Sequence, residues 1–333
     1  MRRTAKQVGE SPGGWVLRCA PGLARLLQDE MRFGRLIGKT DRPTVLRQRN
    51  HDLVFLPRLA REPRGGDLRL AEEVHRCPVY GRYKLSTSQL DRLAAAVKRC
   101  RLVVSVDGSH FDRRDLARFI ARELAQRRVR LDDDAPELWV FAVDATYYIC
   151  RRVRDDRRPE RIAERPGSLP PTIAAAMAFL GHARDEDAIL DPVCGSGTLL
   201  AEAHARAPGA ALFSFDLDPA AIAAARRNLA KTVARLEVGD GRRTGLPASS
   251  FSLFLANLPF GRQFGDRAGN PQLYGELMAE MHRLGRPGWR AVLLSSDEVA
   301  LRAAVAGMTV EREFRVAVRG ERALMLLSRP PPS

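Results

Sequence analysis

A glycine-containing turn at residues 191–198 constrains the fold of this chain more than any other stretch. It has the sequence D-P-V-C-G-S-G-T, follows a short apolar run at residues 188–190 and leads into a helical pattern at residues 198–204. Gly195 and Gly197 let the backbone turn tightly and let a ligand approach the N–H groups at the start of a helix. A strand, a glycine turn and a helix in this order predict a nucleoside-binding site, although such a turn standing alone is as often an ordinary connection.

The chain around this turn alternates strand and helix patterns. Strands are predicted at residues 211–215, 234–238, 251–256 and 291–295, and helices at residues 172–180, 219–229 and 274–284. Two β-rich runs, at residues 309–318 and 322–328, flank a turn and predict a terminal hairpin. The alternation predicts an α/β fold with a doubly wound, largely parallel sheet.

The N-terminal half has an α+β pattern without a chemical motif. Strands are predicted at residues 15–20, 45–56 (two short ones), 102–106 and 138–150, and helices at residues 23–31, 89–99 and 115–127, with Ser88 and Asp112 as caps of the last two. Residues 61–66 and the arginine-dense residues 151–165 are predicted to be linkers. Trp139, Tyr147 and Tyr148 are predicted to be core residues rather than RNA-stacking ones.

Charge and cysteine content narrow the class of protein. The chain has 333 residues and a formal net charge of +15, with 55 Lys and Arg against 40 Asp and Glu. Arginine suits phosphate, but an arginine- and alanine-rich composition can also reflect genome base composition, so charge alone is a weak argument for nucleic acid. No stretch is apolar enough to cross a bilayer, and the five cysteines form no C-x-x-C pair. We expect a cytoplasmic protein with reduced thiols and no metal or membrane partner.

Carboxylates follow three of the predicted strands. Asp191 stands beside the glycine turn, Asp216 can accept hydrogen bonds from both ribose hydroxyls, and Asp240 can accept one from an adenine amino group. A carboxylate at the turn suits a free amino group and a positive sulfonium, and suits a pyrophosphate badly. Leu200 stands where a dinucleotide site needs its third glycine, which disfavours NAD or FAD. The predicted cofactor is therefore S-adenosylmethionine.

The fourth strand leads into N-L-P-F-G at residues 257–261. Asn257 can accept one hydrogen of an exocyclic amino group, and the carbonyl of Leu258, held by Pro259, can accept the other. Such amines are weak nucleophiles, and two acceptors would turn the lone pair towards the methyl group. Phe260 offers a face on which an extruded base can stack. The alternative is a plain Asn-Pro turn.

The turn at residues 191–198, Asp216, Asp240 and the motif at residues 257–261 make residues 167–328 resemble the class I, Rossmann-like methyltransferases. The resemblance implies a mostly parallel seven-stranded sheet with a C-terminal antiparallel hairpin. It implies catalytic roles for Asn257, Leu258, Pro259 and Phe260. It implies cofactor contacts from Ser168, Pro170, Thr172, Asp191, Cys194, Gly195, Gly197, Thr198, Asp216, Leu217, Asp240, Gly241 and Asn257.

Residues 165–172 resemble the segment that leads into the catalytic domain of THUMP-containing RNA methyltransferases. That resemblance implies a ferredoxin-like domain at residues 1–60, a THUMP-like RNA-binding domain at 61–150, a linker at 151–170 and the methyltransferase domain at 171–329. Among these enzymes, the chain is similar in particular to the tRNA guanine-N2 methyltransferases that act at position 6 of the acceptor stem. The resemblance implies that the THUMP domain binds the acceptor end of tRNA. We expect a monomer that acts on tRNA. Methylation of rRNA guanine N2 or of adenine N6, and a non-catalytic RNA-binding protein, remain alternatives.

Two residues depart from the family pattern. Many relatives have Pro where this chain has Leu258, and some have Asp where it has Asn257. The backbone acceptor survives a Leu, so we expect the amine-methylating role to stand.

Overall fold

The computed structural model describes residues 13–48, 50–64, 67–108, 110–153, 163–261 and 267–331. The chain divides into two compact units, Met1–Arg157 and Arg158–Ser333. Within the described ranges, no helix is long and apolar enough to cross a membrane. The same ranges contain no group of three His, Cys, Asp or Glu side chains that could hold a metal ion.

The N-terminal unit is built on one eight-stranded sheet. Its elements in chain order are β1 (Gly14–Cys19), α1 (Ala24–Phe33), β2 (Thr44–Arg47), β3 (Asp52–Leu56), β4 (Glu73–Arg82), α2 (Thr87–Ala96), β5 (Arg99–Asp107), α3 (Arg113–Gln126), β6 (Arg130–Leu131), β7 (Glu137–Val143) and β8 (Thr146–Arg152). The strand order is β2-β3-β1-β4-β8-β7-β5-β6. Tyr147 and Tyr148 are buried and Trp139 is half-buried, so the prediction that they belong to the core is confirmed.

Strand β4 was not predicted from the sequence. This strand pairs with β1 on one side and with β8 on the other, so the residues on both sides of the predicted boundary at residue 60 share one sheet. Pro78 lies inside the strand, and the register against β8 shifts between Arg76 and Val79. A proline and a bulge interrupt the alternating pattern by which a strand is recognised. The division into a ferredoxin-like and a THUMP-like domain stays a prediction.

Three other expectations for this unit can be compared with the structure. Helix α2 is capped by Ser86, which forms a capping box with Gln89, and not by Ser88. Arg151 and Arg152 belong to β8 and not to a linker, while residues 154–162 of the predicted linker lie outside the described residues. The Asp112 cap of α3 is confirmed.

The expectation that all thiols are reduced is wrong for one pair. Cys77 and Cys150 form a disulfide between β4 and β8, across 73 residues of sequence. Cys19, Cys100 and Cys194 are free and buried. The pairing had no signal in the sequence, because it depends on a register between two strands, one of which was not predicted.

The C-terminal unit is a seven-stranded sheet with helices. Its elements are α4 (Pro171–Leu180), β9 (Ala188–Asp191), α5 (Thr198–Arg206), β10 (Ala211–Asp216), α6 (Pro219–Asn228), β11 (Ala234–Val238), β12 (Phe251–Asn257), a 3₁₀ turn (Arg267–Gly269), α7 (Asn270–Leu284), β13 (Gly285–Ser295), α8 (Glu298–Ala304), β14 (Thr309–Val318) and β15 (Glu321–Arg329). The order is β11-β10-β9-β12-β13-β15-β14. The first five strands are parallel, and β15 runs antiparallel to both β13 and β14. The predicted fold class is confirmed here, although the short helix α8 was not predicted.

Packing around β12 fixes the edge on which the functional residues lie. Phe254 of β12 is fully buried against Trp289, with ring centroids 5.0 Å apart, and helix α7 contributes the buried Tyr274 and Met281 to the same cluster. Burying such aromatic side chains contributes about 2–3 kcal/mol each. Strand β12 is therefore packed against helix α7 on its core side.

Candidate active site

Residues predicted to act together lie at one edge of the C-terminal sheet. Asp191 ends β9, Asp216 ends β10 and Asn257 ends β12. These three strands are neighbours and parallel, with β9 in the middle. The carboxyl ends of parallel strands meet at the same edge, and chain order reverses between β9 and β12, which is where ligands bind in such sheets.

Asp191 has an unusual environment for a carboxylate. It is 1% exposed, and its Oδ1 accepts a hydrogen bond from the N–H of Val193 at 3.1 Å. Its Oδ2 is buried and has no partner among the described residues. Burial raises the pKa of Asp191 to about 8, and the nearby charge of Asp216 adds to the shift. A buried oxygen without a partner costs free energy, so this atom suits a ligand that brings an N–H or a positive charge.

The glycine turn is fastened to Asp216. The N–H of Gly195 donates to Asp216 Oδ2 at 2.8 Å, and the N–H of Asp218 donates to Oδ1 at 2.9 Å. Gly197 has a φ of +75°, and a Cβ there would lie 3.0 Å from Leu229 Cδ1. A larger residue at Gly197 would therefore be strained in both backbone and packing.

Two other residues of the glycine turn, Cys194 and Thr198, are buried. Cys194 is buried, and burial raises the pKa of its thiol, so it stays protonated and suits packing rather than nucleophilic attack. Thr198 begins α5 and is also buried.

Asp240 differs from the other two carboxylates because it already has a cationic partner. Arg242 donates from Nε to Asp240 Oδ1 at 2.9 Å and from Nη2 to Oδ2 at 2.7 Å, and its Nη1 donates to Glu276 at 2.8 Å. The Arg242 guanidinium lowers the pKa of Asp240. Arg242 was not among the predicted site residues, although an arginine two residues after a carboxylate was visible in the sequence.

Two further predicted cofactor residues flank the carboxylates. A Cβ on Gly241 would collide with the carbonyl oxygen of Pro192, so glycine is needed for the loop after β11 to approach the glycine turn. Leu217, which follows Asp216, is 67% exposed. An apolar side chain held in water beside a nucleoside site can cover a flat ring.

The Asn228 side chain attaches the segment that leads into α4 to the glycine turn. Asn228, at the end of α6, donates from Nδ2 to the carbonyls of Ala163 and Ser196, at 2.8 and 2.9 Å. Its Oδ1 accepts from the N–H of Ala163 at 2.9 Å. Asn228 was not predicted, because a polar residue at a helix end carries no signal for such a role.

Side chains of the same segment add to this attachment. Arg165 pairs with Asp218, and Ser168 Oγ lies 2.8 Å from Ser196 Oγ. Pro170 precedes α4, and Thr172 is buried in its first turn. The structure therefore brings Ser168 onto the glycine turn, while Pro170 and Thr172 lie at the start of α4.

The loop after β12 presents a second buried acceptor. Asn257 Oδ1 is buried and makes no hydrogen bond within the described ranges. The N–H of Leu258 donates to the carbonyl of Leu294 at 2.9 Å, and the Leu258 side chain is 2% exposed. Pro259 and Phe260 are half-buried. The apolar side chain of Leu258 is thus used in the core, while its peptide belongs to the loop.

The N-terminal unit has a cavity of about 930 Å³ with a basic lining. Its arginines are Arg58, Arg61, Arg76, Arg92, Arg151 and Arg152, and Glu62 is the one acidic residue that the structure describes in the lining. Arg76 pairs with Glu62 at 2.9 Å and lies over the Trp15 ring, while Arg61 pairs with Asp67. Positive charge therefore exceeds negative charge around the cavity, a property that suits phosphate.

The sheet order and the site at its carboxyl edge define a class I methyltransferase fold. A sequence model of one family, described as "RMKL-like, methyltransferase domain", matches residues 158–324. The chain belongs to this RMKL-like methyltransferase domain family.

Curated relatives of the chain are RNA-modifying proteins by name. The mouse (Mus musculus) protein "tRNA (guanine(6)-N(2))-methyltransferase THUMP3" is 30% identical over 159 residues, which are 43% of this chain and 32% of that protein. A protein of Thermus thermophilus named "tRNA (guanine(6)-N2)-methyltransferase" is 31% identical over 190 residues, which are 51% of this chain and 57% of that protein. The chain thus spans about a third of the mouse relative and just over half of the Thermus one.

Among solved structures, the chain is similar to TrmN from Thermus thermophilus. The TM-score is 0.79 at 23% sequence identity, over 96% of this chain and 99% of that one. This likeness shows the fold of both units.

Proposed function

We propose that the chain transfers a methyl group from S-adenosylmethionine to N2 of a guanine in tRNA, at position 6 of the acceptor stem. One observation carries the proposal. Asp191 Oδ2 and Asn257 Oδ1 are buried oxygens that lack partners within the described residues, and they lie at neighbouring strand ends of one sheet edge. The names of the relatives supply the substrate class.

The residues of the cofactor side fit S-adenosylmethionine, which supplies an electrophilic methyl group on a positive sulfonium. Asp191 and the glycine turn would hold its charged amino-acid part, since Oδ2 is short of a partner. Asp216 would accept from the ribose hydroxyls with the lone pairs left over from Gly195 and Asp218. Asp240 would accept from the adenine amino group, and Leu217 would cover the ring.

The residues of the target side act on the amine. Asn257 Oδ1 and the carbonyl of Leu258 would each accept one amine hydrogen and so direct the nitrogen lone pair at the methyl group. Phe260 would stack on the base. An amide cannot act as a base, so the surplus proton leaves to solvent after transfer.

The N-terminal unit would bind the RNA. The arginine-lined cavity supports this role, because guanidinium groups bind phosphate oxygens in pairs. Action as a monomer in the cytoplasm belongs to the same proposal and would be checked by light scattering and cell fractionation.

The test is methyl transfer from labelled S-adenosylmethionine to unmodified tRNA, rRNA and DNA side by side, with nucleosides identified by mass spectrometry. We expect N2-methylguanosine in tRNA alone, at position 6 when fragments are mapped. Label in rRNA, or as N6-methyladenosine, would overturn the substrate but keep the reaction class. A chain that binds RNA but not S-adenosylmethionine in calorimetry would be a non-catalytic RNA-binding protein.

A further inference from the structure

Hydrogen bonds hold two peptides of the loop that follows Asn257, and one further peptide lies between them. On one side, the N–H of Leu258 donates to the carbonyl of Leu294 in β13 at 2.9 Å. On the other side, the hydroxyl of Tyr274 donates to the carbonyl of Pro259 at 2.5 Å. The peptide between them has no N–H, because Pro259 lacks one. The direction of the Leu258 carbonyl is therefore set by its two anchored neighbours.

The donors and acceptors in the row of hydrogen bonds from Asp297 through Ser295 and Tyr274 to Pro259 can be assigned in only one way. The Pro259 carbonyl cannot donate, so Tyr274 uses its single proton on that bond. Ser295 Oγ, 2.7 Å from Tyr274 Oη, must then donate to Tyr274. The N–H of Asp297 donates to Ser295 Oγ at 2.9 Å and closes the chain. Each hydroxyl in this chain thus donates once and accepts once.

Asp297, the residue that caps α8, holds the other end of this row of hydrogen bonds. Asp297 Oδ1 accepts from the N–H of Ala300, and Asp297 Oδ2 accepts from Asn270 Nδ2, both at 3.0 Å. Asn270 is the first residue of α7, the helix that carries Tyr274. The chain of hydrogen bonds therefore joins two helices and the end of β13 to the loop after β12.

We propose that Tyr274 is a positioning residue for the target amine, which holds the Pro259 carbonyl so that Asn257 Oδ1 and the Leu258 carbonyl face that amine together. This inference rests on the proposed function. A buried tyrosine hydroxyl is often only a satisfied core group. Here it bonds to the loop beside Asn257, and its ring and Ser295 are both fully buried.

Tyr274 does not serve as a base. Burial raises its pKa to about 12, so the hydroxyl keeps its proton throughout the range in which the protein would be assayed. A permanently protonated hydroxyl is a fixed donor to the Pro259 carbonyl, as positioning requires.

The main variant is Tyr274→Phe, which removes one oxygen and keeps the ring in the core. We expect kcat for methyl transfer to fall about 10- to 50-fold, because a small displacement of reacting groups has effects of this order. The Kd for S-adenosylmethionine and the KM for tRNA should stay within about two-fold. Ser295→Ala should lower kcat less, since the Tyr274 bond to Pro259 survives. The double variant should be no worse than Tyr274→Phe alone.

A matched control removes another buried hydroxyl far from the loop in sequence. The Tyr147 hydroxyl in β8 has two acceptors within reach, Gln89 Oε1 at 2.9 Å and the carbonyl of Lys84 at 3.1 Å, and Tyr147→Phe should leave kcat unchanged. Wild-type kcat in Tyr274→Phe would overturn the inference. A loss of kcat accompanied by equally weakened cofactor binding would also overturn it, because that result indicates a general structural defect.

A second measurement needs no substrate. Hydrogen exchange of the free 333-residue chain should be faster in Tyr274→Phe across residues 257–261, with helix α7 unchanged. Equal exchange rates of that loop in the variant and the wild type would overturn the inference. This outcome can be read whether or not the wild-type protein methylates RNA. Absence of methyl transfer by the wild-type protein, together with faster loop exchange in the variant, would reject the proposed function and keep Tyr274 as the anchor of the loop.

Discussion

The two units of the chain carry their functional groups in different ways. In the C-terminal unit, the proposed site depends on single atoms at the ends of adjacent strands, where Asp191 Oδ2 and Asn257 Oδ1 are buried without partners in the described ranges. In the N-terminal unit, arginines from two strands, a helix and a loop surround one cavity, with Arg58 and Arg151 exposed to solvent. A site built on single buried atoms should fail when one atom changes. A site built on summed charge should weaken gradually.

The largest effect should come from Asn257→Ala. Without the buried amide oxygen, the amine would lose one of two acceptors, and kcat should fall about 10²- to 10³-fold, as when one preorganised hydrogen bond at a reacting group is removed. Binding of S-adenosylmethionine, measured by calorimetry, should persist. Asn257→Asp keeps an acceptor oxygen and should retain more activity. Full turnover in Asn257→Ala would remove this residue from the target side and would abolish the contrast between the units.

Asp191→Asn should have the next largest effect, and on binding rather than turnover. The variant removes the charge that would face the cofactor's amino group and sulfonium, so the Kd for S-adenosylmethionine should rise about 10- to 100-fold, since hydrogen bonds to charged groups contribute roughly 1.5–3 kcal/mol. Asp185→Asn, on an exposed acid that accepts from the N–H of Gly209, is the matched control. Equal affinity of both variants in calorimetry would contradict the role of Asp191.

The same carboxyl should make cofactor binding depend on pH. Its pKa in the free protein is raised to about 8, and the cofactor would favour the ionised form. Affinity should therefore rise as the pH increases from about 6 to 8, by up to roughly ten-fold per unit, and level off above. The free protein should lose stability over the same rise, because a carboxyl with a raised folded-state pKa stabilises the fold only while it is protonated. Calorimetry and thermal unfolding of wild type and Asp191→Asn would check both trends, and a flat profile in the wild type would contradict them.

The contrast between the units also explains what could be predicted from the sequence. Residues at the ends of parallel strands are brought together by topology alone, so Asp191, Asp216 and Asn257 could be placed from the order of strands and helices. Asn228 could not be placed, because its partners depend on how the segment before α4 and the glycine turn fold against the end of α6. Arg242 was visible near Asp240, but its contact with Glu276 depends on how the loop after β11 folds against α7. Strand β4 and the Cys77–Cys150 pair depend on a bulged register, which periodicity does not encode. The arginine cavity could not be located either, because the net charge of a sequence does not show where its arginines lie in the fold.

Single changes in the arginine cavity should have modest, additive effects. Arg151→Ala should weaken tRNA binding about five-fold and reduce the slope of log Kd against log salt by about 1, as expected for one lost phosphate contact. Arg58→Ala should behave alike, and the double variant should show the sum. Arg118→Ala, on an exposed arginine of α3 outside the cavity, should change neither quantity. Binding abolished by one substitution would mean that this unit, too, depends on single atoms.

The smallest effect should come from Asn228→Ala. This variant tests whether the cofactor side tolerates the loss of a residue that supports the glycine turn and is assigned no cofactor contact. Asn228 makes three backbone hydrogen bonds, to Ala163 and Ser196, and no substrate contact is assigned to it. Its loss should loosen the segment before α4 and raise the Kd for S-adenosylmethionine about two- to five-fold, within the usual range for about one net hydrogen bond. The kcat at saturating cofactor should not change. Asn228→Asp keeps the acceptor for the N–H of Ala163 but loses both donated bonds, so its Kd should lie between those of wild type and Asn228→Ala. A fall in kcat without a change in Kd would instead place the effect on the target side, and would show that the two halves of the site are less separable than their geometry indicates.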